Sequence, residues 1–115
     1  MKINWSEVKV FIKPGATDMR KQINGLSAFV EIEFKKDPFS GNLFMFCNGN
    51  RRRLKVLYWD RNGFCLWIKR LERDRFPWPM TEEQCREITA EQFSMILDGI
   101  DFFNAHKSIK FSAAS

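Results

Sequence analysis

Residues 51–79 read RRRLKVLYWDRNGFCLWIKRLERDRFPWP, and the reading of this stretch decides the fold. Three arginines lead into an alternating run, LKVLYW. An Asp60-Arg61-Asn62-Gly63 turn follows, then a second run, FCLWIKRL. Two such runs joined by a short Asn/Gly turn predict a β-hairpin. Charge is concentrated here as well. From Arg51 to Arg75 there are nine Lys/Arg and three Asp/Glu, a local +6, while the other residues carry ten basic and eleven acidic side chains. The formal +5 of the chain therefore originates in one segment, which also holds three of the four tryptophans and the one tyrosine.

Register decides which of these side chains share a face, because a slip of one residue exchanges the faces. With Arg61-Asn62-Gly63 as a three-residue loop, Leu54, Val56, Tyr58, Phe64, Leu66 and Ile68 fall together. Lys55, Leu57, Trp59, Cys65, Trp67 and Lys69 then form the opposite face. This separates an apolar face from one mixing indoles with lysines, and it is preferred. A turn of Asn62-Gly63 alone blurs the partition and sets Lys69 beside Val56. Pro77 and Pro79 exclude the FPWP segment from a sheet interior, so it is expected as an extended edge or a wrap.

Upstream, LFMFC (43–47) is a short apolar strand followed by Asn48-Gly49-Asn50 turn chemistry. Asp37 to Gly41 form another turn. Before it, Met19, Ile23, Leu26, Val30 and Phe34 recur at helical spacing, with Thr17 or Asp18 as the cap and an end between Glu31 and Lys36. Gly25 inside that helix costs up to about 1 kcal/mol, which predicts close packing at this position. VKVFIK (8–13) alternates as a strand and is closed by Pro14-Gly15. Toward the C-terminus, MTEEQCREI (80–88) reads as linker. Thr89 to Gln92 have capping-box form, and Phe93, Ile96, Leu97 and Ile100 make the stripe of a second helix. The elements assemble into one α+β domain over residues 1–104, an antiparallel meander of about four strands with two helices on one face. Residues 105–115 are expected as a mobile tail.

A chain of 115 residues can bury a core without disulfides or metals. Cys47, Cys65 and Cys85 are too widely spaced for a zinc site, His106 is the sole histidine, and free thiols are expected. There is no apolar signal-type segment at the start and no run of roughly 20 apolar residues, so a cytoplasmic protein without membrane partners is expected.

Several blocks resemble one family. They are Gly15-x-Thr17-Asp18-Met19-Arg20-Lys21 with Gly25-Leu26, Asp37-Pro38-Phe39-Ser40-Gly41-x-Leu43-Phe44, and Leu54-Lys55-x-Leu57-Tyr58-Trp59-Asp60-x-x-Gly63-Phe64. Leu66-Trp67-x-Lys69-Arg70-Leu71-Glu72 and Phe76-x-Trp78-Pro79 complete the set. In order and content these resemble the TnpB-type (second reading frame) accessory protein of insertion-sequence-sixty-six-type transposons, over roughly residues 12–100. The resemblance is to these small proteins and not to the large RNA-guided nucleases that share the TnpB name. It implies a role beside a separate transposase that carries the catalytic carboxylates, and no list of functional residues.

Three uses of the central stretch follow. Arg51, Arg52, Arg53, Lys55, Lys69, Arg70, Arg73 and Arg75 can neutralise phosphates, and Trp59 and Trp67 can stack on unpaired bases. The partner would be DNA, such as element ends, alone or held by the cognate transposase. Alternatively Phe76 and Trp78 anchor a protein interface that docks the transposase or another accessory subunit. A homodimer through a free strand edge is the third use. Catalysis is not expected. Asp18, Asp60, Glu72 and Asp74 each have a simpler capping, turn or ion-pair role, no phosphate loop is present, and neither metal nor cofactor is implied.

Overall fold

The computed structural model describes residues 3–82 and 84–103. LFMFC forms strand β2 (Leu43–Cys47), buried at all five positions. A strand without a polar residue on either side demands cover on both faces. One face is completed by Val10, Ile12, Leu54 and Val56, with Phe93 and Ile96 packed on it. The other is completed by Phe11 and Leu57, with Leu26 and Val30 packed on it. Helix α1 (Ile23–Ile32) therefore covers one side and helix α2 (Ala90–Leu97) the other. The α+β class holds, but the helices do not share a face. The two-sided hydrophobicity of β2 is the reason.

The sheet has five strands, ordered β4-β3-β2-β1-β5. Strand β1 (Val10–Ile12) runs parallel to β2, with α1 as the crossover that parallel neighbours require. Strands β3 (Arg53–Asp60) and β4 (Gly63–Arg70) continue from β2 as antiparallel neighbours. Strand β5 (Arg86–Ile88) lies inside the expected linker and pairs antiparallel with the outer side of β1. Three residues are too few for their periodicity to be legible. The Thr89 capping box is present: its hydroxyl accepts from Gln92 N–H at 3.0 Å, and Gln92 Oε1 accepts from Thr89 N–H at 3.0 Å.

The hairpin register differs from both expectations. Asp60 pairs with Gly63, so the loop is Arg61-Asn62, with Arg61 left-handed at φ 53°. Leu54, Val56 and Tyr58 share a face with Lys69, Trp67 and Cys65, and Lys55, Leu57 and Trp59 share the other with Ile68, Leu66 and Phe64. FCLWI is apolar on both sides of the strand, so sorting by polarity could not select the register.

Helix α1 starts later than its stripe predicts. Its N-cap is Gln22, without a side-chain cap, and its first backbone bond runs from Leu26 N–H to Gln22 O. The cause lies on β3. Lys55 is only 4% exposed, and its ammonium donates to Met19 O and Lys21 O, both at 2.8 Å, and to Gln22 Oε1 at 3.4 Å. Carbonyls that would accept from the first helical N–H groups are engaged by this side chain instead. Asp18 makes a local turn with Arg20 N–H and a bidentate pair with its guanidinium, which holds the carboxyl at about 2. Thr17 Oγ1 is buried and has no hydrogen-bond partner among the described residues. The close neighbour of Gly25 is the Lys21 stem, 3.4 Å from where a Cβ would stand.

Phe76 and Trp78, the anchors of the alternative protein interface, are 0% and 5% exposed, so of the two expectations for this segment the wrap holds. Trp78 Nε1 donates to Lys13 O at 2.9 Å, and Phe76 N–H to Arg51 O at 2.7 Å. The prolines keep this segment out of the sheet, and it folds back over the α2 face as a wrap.

Substituting Lys55→Met removes the donors from two carbonyls and should destabilise the fold by about 1–3 kcal/mol in chemical denaturation. Burial, reinforced by Arg53, lowers the Lys55 pKa from its ordinary 10.5. Between the lowered value and 10.5 the unfolded chain holds a proton that the folded chain has released. The stability of the wild type relative to Lys55→Met should therefore rise with pH in that window and stay flat below it. Thr17→Val should be neutral or stabilising by up to about 1 kcal/mol, because it removes a buried hydroxyl with no partner. A helix cap would instead lose about 1 kcal/mol on the same change.

Candidate nucleic-acid interface

The basic residues divide once the chain is folded. Asn48 organises the turn that presents the arginines: its Oδ1 accepts from Arg52 N–H and Arg53 N–H, each at 3.0 Å. Arg51 is left-handed at φ 60° and donates its N–H to Asn48 O at 3.1 Å. Arg53 then pairs directly across the sheet with Arg70. Leu71 N–H bonds Arg52 O at 2.8 Å, and together with the Phe76 bond to Arg51 O this fastens the 71–75 loop against the turn. The backbone of Arg51 to Arg53, the end of β4 at Arg70 and the loop carrying Arg73 and Arg75 therefore meet at the hairpin mouth, where Glu72 and Asp74 are the acids of this stretch. Arg53 and Arg70 lie on the α1 side with Lys55, and Arg51 lines a hollow with Trp78 and Arg86 on the α2 side.

Like charges placed directly opposite on a sheet cost roughly 0.2–1 kcal/mol. Arg70 relieves part of this through Glu72, its Nη2 lying 2.7 Å from Oε1, but the pair is exposed and stabilises by at most about 1 kcal/mol. The guanidinium of Arg53 has no carboxylate within ion-pair distance among the described residues. Beneath the two arginines is a hollow of about 560 Å³ bounded by Gln22, Lys55, Ile68 and Glu72.

The other candidates lie elsewhere. Lys55 is buried with its donors satisfied. Lys69 Nζ donates to Leu97 O at 3.1 Å, closing the last turn of α2. Trp59 is six residues along β3 from Arg53, about 20 Å at the usual strand rise. It packs edge-on against Phe39 and Phe64, with ring centroids 5.0 Å away in each case. Trp67 is 41% exposed and sits on the α2 face, opposite Val56. The fold thus assembles the arginines and places neither tryptophan among them. The Arg53–Arg70 apposition could not be seen in the sequence, since only the true register creates it.

Among the described residues no group of three or more His, Cys, Asp or Glu could hold a metal ion. Cys47 and Cys85 are free, and burial pushes their thiols up to about 12 and about 11, away from reactive thiolates. His106 and the expected tail lie outside the described residues. No helix among the described residues is long and apolar enough to cross a membrane.

Comparison with known proteins gives a consistent picture. The chain is 42% identical over 95 residues to uncharacterized protein y4hO of Sinorhizobium fredii (strain NBRC 101917 / NGR234), which covers 83% of each chain. It is 30% identical over 95 residues to uncharacterized protein y4jC of the same organism, covering 83% of this chain and 81% of that one. No solved structure matches. Residues 8–107 match the family described as IS66 Orf2 like protein. The chain belongs to the IS66 Orf2-like family, and that membership implies an accessory role in transposition.

Proposed function

We propose that this accessory protein binds the sugar-phosphate backbone of element DNA, free or in complex with the transposase, through the arginines at the hairpin mouth. The observation that carries the reading is Arg53 directly opposite Arg70, with Arg52 in the adjoining turn and Arg73 and Arg75 in the loop fastened to it. A fold that tolerates such a pair gains when a phosphate lies between the guanidinium groups, because its charge offsets their repulsion and it accepts charge-assisted hydrogen bonds from both. Arginine suits this role, being permanently charged and forked. The contact reads the backbone and carries no base sequence by itself. The protein acts without chemistry of its own, leaving strand transfer to the transposase. The adaptor alternative loses its original anchors, since Phe76 and Trp78 are buried.

Fluorescence anisotropy with labelled single- and double-stranded DNA, including an element end, tests this at several salt concentrations. Binding should weaken steeply with salt. Arg53→Gln combined with Arg70→Gln should flatten the log–log salt slope by about 2 and weaken binding at least tenfold at low salt. Lys69→Gln should leave the slope unchanged, because its ammonium is turned toward α2. Absence of binding at low salt would overturn the reading.

A further inference from the structure

The two edges of the sheet are built differently. Edge strand β5 has three residues, two of them charged (Arg86 and Glu87), a form that discourages further pairing. Edge strand β4 has eight residues in unbroken register with β3, with no bulge, no proline and no charge from Gly63 to Ile68. Trp67 and Ile68 on it are 41% and 55% exposed.

The hydrogen-bond parity of this edge follows from one contact. Leu71 N–H bonds Arg52 O, so Lys69, Trp67 and Cys65 direct their backbone groups toward β3. Phe64, Leu66 and Ile68 direct theirs outward, where no backbone partner meets them among the described residues.

We propose that β4 pairs antiparallel with β4 of a second copy of this chain, about a two-fold axis at Leu66. A register that keeps the faces continuous must place residues of like parity opposite one another. Centred on Leu66, it sets Leu66 against the partner's Leu66, Phe64 against the partner's Ile68, and Cys65 against the partner's Trp67. Every facing pair in this core is apolar, and Lys69 falls opposite the partner's Gly63. Shifting the axis to Trp67 would set Phe64 against the partner's Arg70 and Cys65 against the partner's Lys69. An axis at Cys65 would also keep the charges apart but would set Ile68 against the partner's Asn62 in the turn. The Leu66 register therefore pairs the longest run of β4 with itself, which favours a second copy over an unrelated strand. Up to about six backbone hydrogen bonds form across it. The axis also sends the two arginine clusters to opposite ends, with Arg70 and the partner's Arg70 about 27 Å apart along the strands. Repulsion between two basic chains is thereby kept out of the seam, and Trp67 becomes an interface anchor in place of a base-stacking group.

Sedimentation equilibrium of the full chain under reducing conditions, from about 1 to 200 μM, tests the pairing without reference to nucleic acid. The expected mass at the upper end is twice the 13.7 kDa chain. Trp67→Lys and, separately, Ile68→Lys should weaken association at least tenfold while leaving the circular dichroism unchanged, and the melting temperature unchanged when compared at concentrations where the wild type is monomeric, because both side chains are exposed in the single chain. Trp67→Cys supplies a register test. Cys65 and the partner's residue 67 form a non-bonded pair with Cα atoms about 4.5 Å apart, within disulfide span. Mild oxidation should give a covalent dimer that is lost when Cys65→Ser is added. A monomer at the highest concentration would overturn the proposal and leave the edge to another strand. A dimer indifferent to both lysine variants and not cross-linked would overturn it as well.

Discussion

The strand LFMFC sets the terms for everything around it. Five consecutive buried side chains, with no polar group among them, leave no solvent face at the centre of the sheet. Cover must come from both sides, and the chain supplies it from its two halves. The first sends α1 across as the link between two parallel strands. The second sends α2 and the Phe76–Trp78 wrap to the opposite side. The α2-side cluster draws side chains from Val10 to Ile96, while the buried members of the α1-side cluster all lie between Phe11 and Leu57, so the first half of the chain completes one face and leaves the other open.

Two lysines show why charge counted along a chain differs from charge available to a partner. Lys55 crosses from β3 to the start of α1 and satisfies backbone carbonyls there. Lys69 does the same at the end of α2. Both lie in the most basic stretch of the protein, and both fasten helix ends to the sheet. The exposed arginines at the mouth, Arg52, Arg53, Arg70, Arg73 and Arg75, remain after these internal uses, the first two carried by a turn that Asn48 holds. The basic surface is consequently narrower than the sequence suggests and confined to one end of the hairpin.

Much of this was legible beforehand, and the exceptions have common causes. Strand β2, the Thr89 capping box, the stripe from Ile23 to Val30 and the α+β class follow from local patterns that the fold did not override. Local pattern failed where both sides of an element were alike. FCLWI offered no polarity difference to set the register, and β5 was too short to show one. It failed again where a distant side chain intervened, as when Lys55 took the carbonyls that would have begun α1 earlier. For the site, the arginines were visible as a cluster in sequence. Their separation from Trp59, and the apposition of Arg53 with Arg70, depended on pairing alone.

The position of β1 has a consequence for how the chain reaches this state. Its inner neighbour is β2, but its outer neighbour is β5, and the pairing of Val10 with Ile88 joins nearly the two ends of the described chain. Trp78 reaches back to Lys13 across a similar interval. During synthesis at about 5–20 residues per second, β1 to β4 are complete for a second or more before β5 emerges. Through that interval the β1 edge and the apolar face destined for α2 stand open. Such long closures are characteristic of slow-forming folds. Strand β5 and helix α2 thus act as the lid that makes an otherwise adhesive nascent sheet safe, and a chain interrupted after the central hairpin would retain most of the arginines while exposing half of its core.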